Sequence, residues 1–339
     1  IDDTGGIRVV FRFVGDHGML QTDDPAAPDY VTAHTSTGAR IALSYHNTGH
    51  QRPWFKALTA RLHGGYLREG DTITVTIGDT SGGSPGAMMQ THCETNFEYK
   101  VVVDVCATGH YLPLTQVPSV SIVPGPVDRW RAVLPSLRRP KETFQLGIKA
   151  EDSWGNPTNL AQGTLTIKSN VAVNNLPNTL DYPLGERAVT LENLSVDAPA
   201  TVWITVEDAQ GNTVAKANPL VIQEGAVSGY WADLHGQSGE SIGINTSWQY
   251  FDFARNCSFL DASSHQANDF QVNNAFWAYL NELTANFHED GRFVTFPGYE
   301  WSGNTAVGGD RNVFFRQEGR QIHRSSHALL PDRSDIDTD

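Results

Sequence analysis

The stretch SGYWADLHG, residues 228–236, marks the point where the grammar of this 339-residue chain changes. It is short, rich in apolar and aromatic residues and closed by glycine, which reads as a strand. The residues after it are patterned differently from those before. SWQYFDFARN (247–256) predicts a short helix with Thr246 or Ser247 as N-cap, since a hydroxyl there can accept from an orphan N–H of the first turn. SFLDASSH (258–265) reads as a second, buried strand. Val272, Phe276, Tyr279, Leu280, Leu283 and Phe287 then share one face of a helix of about four turns. RFVTFPGYE (292–300) reads as a third strand stopped by Pro297 and Gly298, and RNVFFR (311–316) as a fourth. Strand, helix, strand, helix, strand predicts a parallel α/β sheet or barrel.

Upstream, from Ile1 to about Ile222, the signals are short β-rich runs punctuated by turn residues: IRVVFRFVG, ARIALSYH, DTITVTIGD, FEYKVVVDVC, TFQLGIKAED, GTLTIKS and ATVWITVED. Regularly spaced strands without intervening helices predict antiparallel sandwiches. PSVSIVPGPVDRW (118–130), with its prolines and glycine, suits a linker between two of them. A weak internal repeat, IKAEDSWGNP (148–157) and ITVEDAQGNT (204–213), predicts two hairpin turns in which Gly155 and Gly211 take the positive-φ position; the pattern also resembles turns of bacterial immunoglobulin-like domains. The expected organisation is a β-sandwich at 1–120, an immunoglobulin-like sandwich at 121–225 and an α/β segment at 226–339.

Composition narrows the partners. With 24 basic and 38 acidic residues the formal charge is −14, and no basic stripe with interleaved aromatics is present, which argues against nucleic acid and anionic membranes. No apolar run approaches the roughly 18 residues of a membrane helix. The three cysteines, Cys93, Cys106 and Cys257, are odd in number and form no C-x-x-C; buried free thiols are the favoured reading over a Cys93–Cys106 bridge. Ile1 in place of an initiator Met is compatible with a removed leader, tag or longer upstream region, and the compartment, periplasmic or cytoplasmic, stays open. GDTSGGSPG (78–86) lacks the Gly-Lys-Ser/Thr of a phosphate loop.

His235, His265 and Glu300 each stand at the end of one of three successive strand candidates, 30 and 35 residues apart. In a parallel barrel those ends share one face, so three metal-type side chains are expected to converge. DLHGQSGES, FLDASSHQANDF and FVTFPGYEWSGNTAVGGDRNVFF resemble the polymerase and histidinol phosphatase (PHP) superfamily, and more narrowly an uncharacterised PHP-like branch of long bacterial proteins with N-terminal sandwiches. The resemblance covers about the last third of the chain. It implies the first half of a distorted (β/α)₇ barrel in which His235, His265 and Glu300 ligate one or two Zn²⁺, Mn²⁺ or Fe²⁺ ions and Asp233 orients an imidazole. Gln237 stands where the superfamily has histidine, and Ser264 where it has aspartate, so Gln237 is expected to bond a metal-bound water or substrate oxygen.

The function so implied is a metal-dependent hydrolase acting on a small phosphoester or related anionic ester through a metal-bound hydroxide. Arg311 would neutralise the anion, and His323 or His327 would act as general acid. Only 114 residues follow Gly225, against about 200 or more in a closed α/β barrel, so a complementing C-terminal half, as a separate chain or a missing segment, is expected. The rival readings are a non-catalytic binding or scaffold protein with a degenerate barrel, and one subunit of a nicked heterodimeric hydrolase.

Overall fold

The computed structural model describes residues 1–303 and 309–326. The chain divides into two compact units, Ile1–Val123 and Pro124–Asp339, parted inside the Pro/Gly-rich stretch.

The first unit is all β: β1 (Gly6–Phe11), β2 (Val31–Thr35), β3 (Arg40–His46), β4 (Lys56–His63), β5 (Ile73–Ile77), β6 (Glu94–Glu98), β7 (Lys100–Asp104), β8 (Leu112–Pro113) and β9 (Ser119–Ile122). An antiparallel sheet ordered β3-β4-β1-β7-β8 is accompanied by the pairs β2-β5 and β6-β9. Alternation along β1 divides its side chains between two faces. Val9 and Phe11 join Leu20, Val31, Leu58 and Phe97 in the main core. Val10 packs on the other face with Ala57 and Val102.

The second unit opens with a sandwich of β10 (Arg129–Val133), β11 (Leu137–Arg138), β12 (Phe144–Glu151), β13 (Gly163–Ser169), β14 (Thr179–Tyr182), β15 (Val189–Leu194), β16 (Ala200–Val202), β17 (Ile204–Glu207), β18 (Thr213–Lys216) and β19 (Leu220–Ile222). They form sheets ordered β10-β12-β15, β11-β19-β16 and β14-β13-β17-β18 around a core that includes Leu146, Ile148, Leu194, Val206 and Leu220. The two repeated motifs build the same loop. Asp152 Oδ1 accepts from the N–H groups of Trp154 and Asn156, both at 2.9 Å, while Asp208 Oδ1 accepts from Gln210 at 2.9 Å and Asn212 at 2.8 Å. Gly155 and Gly211 take φ of 92° and 82°. The repeat is thus turn chemistry, an aspartate capping a tight connection.

After this come β20 (Ala232–Gly236), α1 (Ser247–Asn256), β21 (Ala262–His265), a 3₁₀ turn (Asp269–Gln271), α2 (Asn274–Phe287), β22 (Val294–Thr295), β23 (Gly298–Ser302) and β24 (Asp310–Phe314). Thr246 caps α1 and forms a full capping box with Gln249. Asn273 caps α2, whose buried face includes Trp277, Leu280, Leu283 and Phe287, while Tyr279 is exposed.

The structure is mostly β with few helices, and the expected half barrel is corrected. Among the described residues of the α/β segment, β20-β21-β22 form a short parallel sheet, and β23 and β24 are an antiparallel hairpin. Pro297 divides the stretch read as one strand: without an N–H it cannot continue the ladder, so β22 stops at Thr295 and β23 starts afresh at Gly298. Glu300 therefore lies on the hairpin strand β23, where it also makes an isolated parallel bridge to Asn268 just beyond β21 and is not the tip of β22.

Within the second unit the sandwich and the α/β segment are tightly joined. Arg138 meets Asp261 at 3.3 Å, Arg292 meets Glu192 at 3.4 Å, and Ser228 donates to Glu142 at 2.7 Å. Phe259, at the non-glycine φ of 56°, lays its ring over Gly147, where an added Cβ would stand 2.5 Å from three ring carbons. All three cysteines are free; Cys257 is buried as expected, but Cys106 is exposed. Among the described residues no helix is long and apolar enough to cross a membrane.

Candidate functional site

The strand ends of the α/β segment gather a polar cluster. His235, on β20, has its side chain 56% exposed. Asn312 on β24 donates its Nδ2 to the Leu234 carbonyl at 2.9 Å, which turns its Oδ1 toward His235 Nδ1 at 2.7 Å. Nδ1 is therefore the donor, and Nε2 is the atom that faces Glu300, at 3.6 Å. Asp233 does not reach an imidazole: its carboxylate accepts from the backbone N–H of His235 at 3.0 Å and from the Tyr250 hydroxyl at 3.1 Å. Burial drives the Tyr250 phenol well above its ordinary pKa, so the hydroxyl keeps its proton and serves as a donor.

Gln237 is held at both ends of its amide. Nε2 donates to Glu300 Oε2 at 2.9 Å and to Asn268 Oδ1 at 3.3 Å, and Oε1 accepts from Ser241 Oγ at 2.7 Å. His265 ends β21 yet is turned into the protein. It is 2% exposed, its Nε2 bonds Ser238 Oγ at 2.8 Å, and its ring sits edge-on to Tyr250 and Phe276. Burial brings its pKa down to about 4, so it is neutral near pH 7. The structure thus brings His235, Gln237 and Glu300 together and sets His265 apart.

Arg311 is exposed on β24, its guanidinium 5.8 Å from the centre of the Trp301 ring. His323 is tied through its backbone N–H to the Tyr299 hydroxyl at 3.2 Å. His327 lies outside the described residues. Sequence reading missed the hydroxyl and amide members of the cluster, Ser238, Ser241, Tyr250, Asn268 and Asn312. Ser238, Ser241 and Asn268 follow strands, Asn312 lies on β24 and Tyr250 on α1, positions that carry no motif in the sequence.

This donor set does not fit a divalent cation. Among the described residues no three His, Cys, Asp or Glu side chains are placed to hold one. Gln237 turns its amide N–H, not its oxygen, toward Glu300 Oε2, so the amide is not placed as a ligand beside that carboxylate.

A second candidate lies wholly in the first unit. A cavity of about 750 Å³ opens between β5 and the paired strands β1 and β7, lined by Ile7 and Val9, by Ile73, Val75 and Ile77, and by Tyr99, Val101 and Val103, together with Ile1, Leu67, Leu114 and Pro118. Along β5 the alternation is regular, yet its inward residues Ile73, Val75 and Ile77 are only half-buried. The charged members of the lining, Arg68, Glu69 and Asp71, all come from the one loop before β5.

Comparison with known proteins gives a consistent correction. Residues 210–334 match a family described as a protein of unknown function, DUF3604. An uncharacterised protein of Chlamydia pneumoniae is 23% identical over 74% of this chain and 42% of its own length. Another, of Chlamydia trachomatis, is 23% identical over 78% of this chain and 44% of its own. The chain spans less than half the length of these relatives. Similar solved structures include the D0-D1 domain of intimin (TM-score 0.23, 11% identity, covering 57% of this chain and 80% of that one) and the Escherichia coli adhesin FdeC (TM-score 0.24, 11% identity, 67% and 65%). The Yersinia pseudotuberculosis adhesin InvE is similar at a TM-score of 0.20 and 13% identity over 57% of this chain and 49% of its own. TM-scores of this size establish no residue correspondence. The PHP resemblance is corrected: the family model that matches residues 210–334 is DUF3604, of unknown function, and not a PHP family, and among the described residues the strand ends gather no group of three metal-type side chains. The metal-dependent hydrolase of anionic esters falls with it.

Proposed function

We propose that this chain is a binding protein whose N-terminal sandwich receives an elongated apolar molecule, such as a fatty acyl chain, and whose α/β segment is a scaffold. The observation that carries this reading is the 750 Å³ cleft between β1, β5 and β7. Its volume lies within the roughly 300–1,000 Å³ of small-molecule sites. Its walls are the inner faces of three strands, where alternation would otherwise deliver core. Covering apolar surface gains about 25 cal/mol per Å², so a ligand touching all three strands gains several kcal/mol from burial. The charge supplied by Arg68, Glu69 and Asp71 of a single loop in the lining suits a polar terminus. Arg68 and Asp71 are braced there, the Arg68 N–H donating to the Asp71 carboxylate at 2.8 Å.

The test is fluorescence titration of the full chain with 1-N-phenylnaphthylamine, then displacement with n-alkanols of increasing length. Saturable binding, and displacement that strengthens with chain length, are expected. Val75→Trp, which fills the cleft from β5, should weaken probe binding by about tenfold or more. Absence of saturable binding, or a Val75→Trp variant that binds as the parent does, overturns the reading.

A further inference from the structure

The seam of the second unit holds a cavity of about 340 Å³ between the sandwich strands and the α/β segment, a position ligand sites favour. Trp231 forms one wall. Its side chain belongs to a residue that is 61% exposed, yet it is fixed: Nε1–H donates to Ser136 Oγ at 2.8 Å and the backbone N–H to Asp261 Oδ2 at 2.8 Å. An indole held in place without a covering partner loses little entropy when a ring stacks on it. Val133, Leu134, Pro135, Phe259 and Leu260 supply the rest of the apolar lining.

Two polar side chains in the lining have no partner among the described residues, the carboxamide of Gln145 and the hydroxyl of Ser258. A carboxamide offers a donor and an acceptor side by side, the complement of another amide edge. The charged members of the wall, Arg138 and Asp261, are bound to one another at 3.3 Å, so the cavity presents no net charge to an occupant. We propose that the seam cavity is a second ligand site, taking a neutral planar aromatic or heteroaromatic ring that carries an amide edge, stacked on Trp231 and hydrogen-bonded to Gln145.

Ligand-observed NMR and calorimetry on the full chain test this with benzamide and nicotinamide as probes, and cyclohexanecarboxamide and benzoate as non-planar and charged controls. Saturable binding of both amides is expected, with each control at least about tenfold weaker. Trp231→Ala should weaken benzamide binding by about tenfold, and Gln145→Leu by about threefold to tenfold. Phenylnaphthylamine binding in the N-terminal cleft should be unchanged in both variants, which separates failure here from failure there. If Trp231→Ala does not fold, Gln145→Leu decides alone. Cyclohexanecarboxamide binding as tightly as benzamide, variants binding as the parent does, or no saturation by either amide would each overturn the proposal.

Discussion

In the cleft of the first unit, aliphatic side chains on three strands leave part of their surface uncovered, whereas at the strand ends of the second unit the polar groups bind one another. Gln237 is committed to Glu300, Asn268 and Ser241, and Asp233 to a backbone N–H and Tyr250. Half-buried Ile73, Val75 and Ile77 line β5. A recognition site needs interactions left over for the ligand, and a structural junction needs none. On that criterion Gln237 and Asp233 act as junction residues, while the buried His265 Nδ1 and Gln266 Oε1 have no partner among the described residues, and the proposed site of the first unit is built of the plainest side chains.

The sharpest way to break this contrast is to make one substitution in both kinds of place. Ile148→Ala, in the fully buried core of the second sandwich, should cost about 4 kcal/mol, and Ile73→Ala, on the cleft wall, about 1 kcal/mol. Urea denaturation measures both, and equal costs would mean that the cleft is closed in solution. Next is an acid effect of about 3 kcal/mol, from a pKa of about 4 for folded His265 against 6.5 for the free side chain. Because the folded value is depressed, the unfolded chain takes up the proton first; stability is full above about pH 6.5 and is lost as pH falls toward 4. Denaturant midpoints over this range should show the loss, and His265→Gln should remove it. Gln237→Leu withdraws a donor from the buried Glu300 and an acceptor from Ser241, at an expected cost of about 2 kcal/mol by the same measurement. His235→Ala, at the exposed rim, should shift stability by no more than about 0.5 kcal/mol.

What was legible in the sequence was local. The capping box of α1, the apolar face of α2, the β-rich first two thirds and the paired Asp-Gly-Asn turns stem from periodicity and capping chemistry, which act over a few residues. What was not legible depended on how strands were placed. Glu300 reads in sequence as the end of a parallel strand, but Pro297 splits that strand and its second half folds back on β24. His265 fell in phase with its strand but turned inward to Ser238. Gln237 read as a gap in a ligand set, although its amide N–H donates to the Glu300 carboxylate. The strand DTITVTIGD was plain, but nothing local tells that its inward face lacks cover, since that depends on the position of β1 and β7.

The contact between Phe259 and Gly147 also sets the terms on which this protein can be divided or recombined. A glycine in one strand accepts an aromatic ring held at an unfavourable φ more than a hundred residues away, so each residue makes the other tolerable. The two positions should change together or not at all across natural variants, and an expression boundary near residue 225, which the composition invites, would strip a ring from its seat. The stretch from Pro124 onward is accordingly one inheritable part, and grafts or chimeras that respect it should retain their fold where those cut at the sandwich end should not.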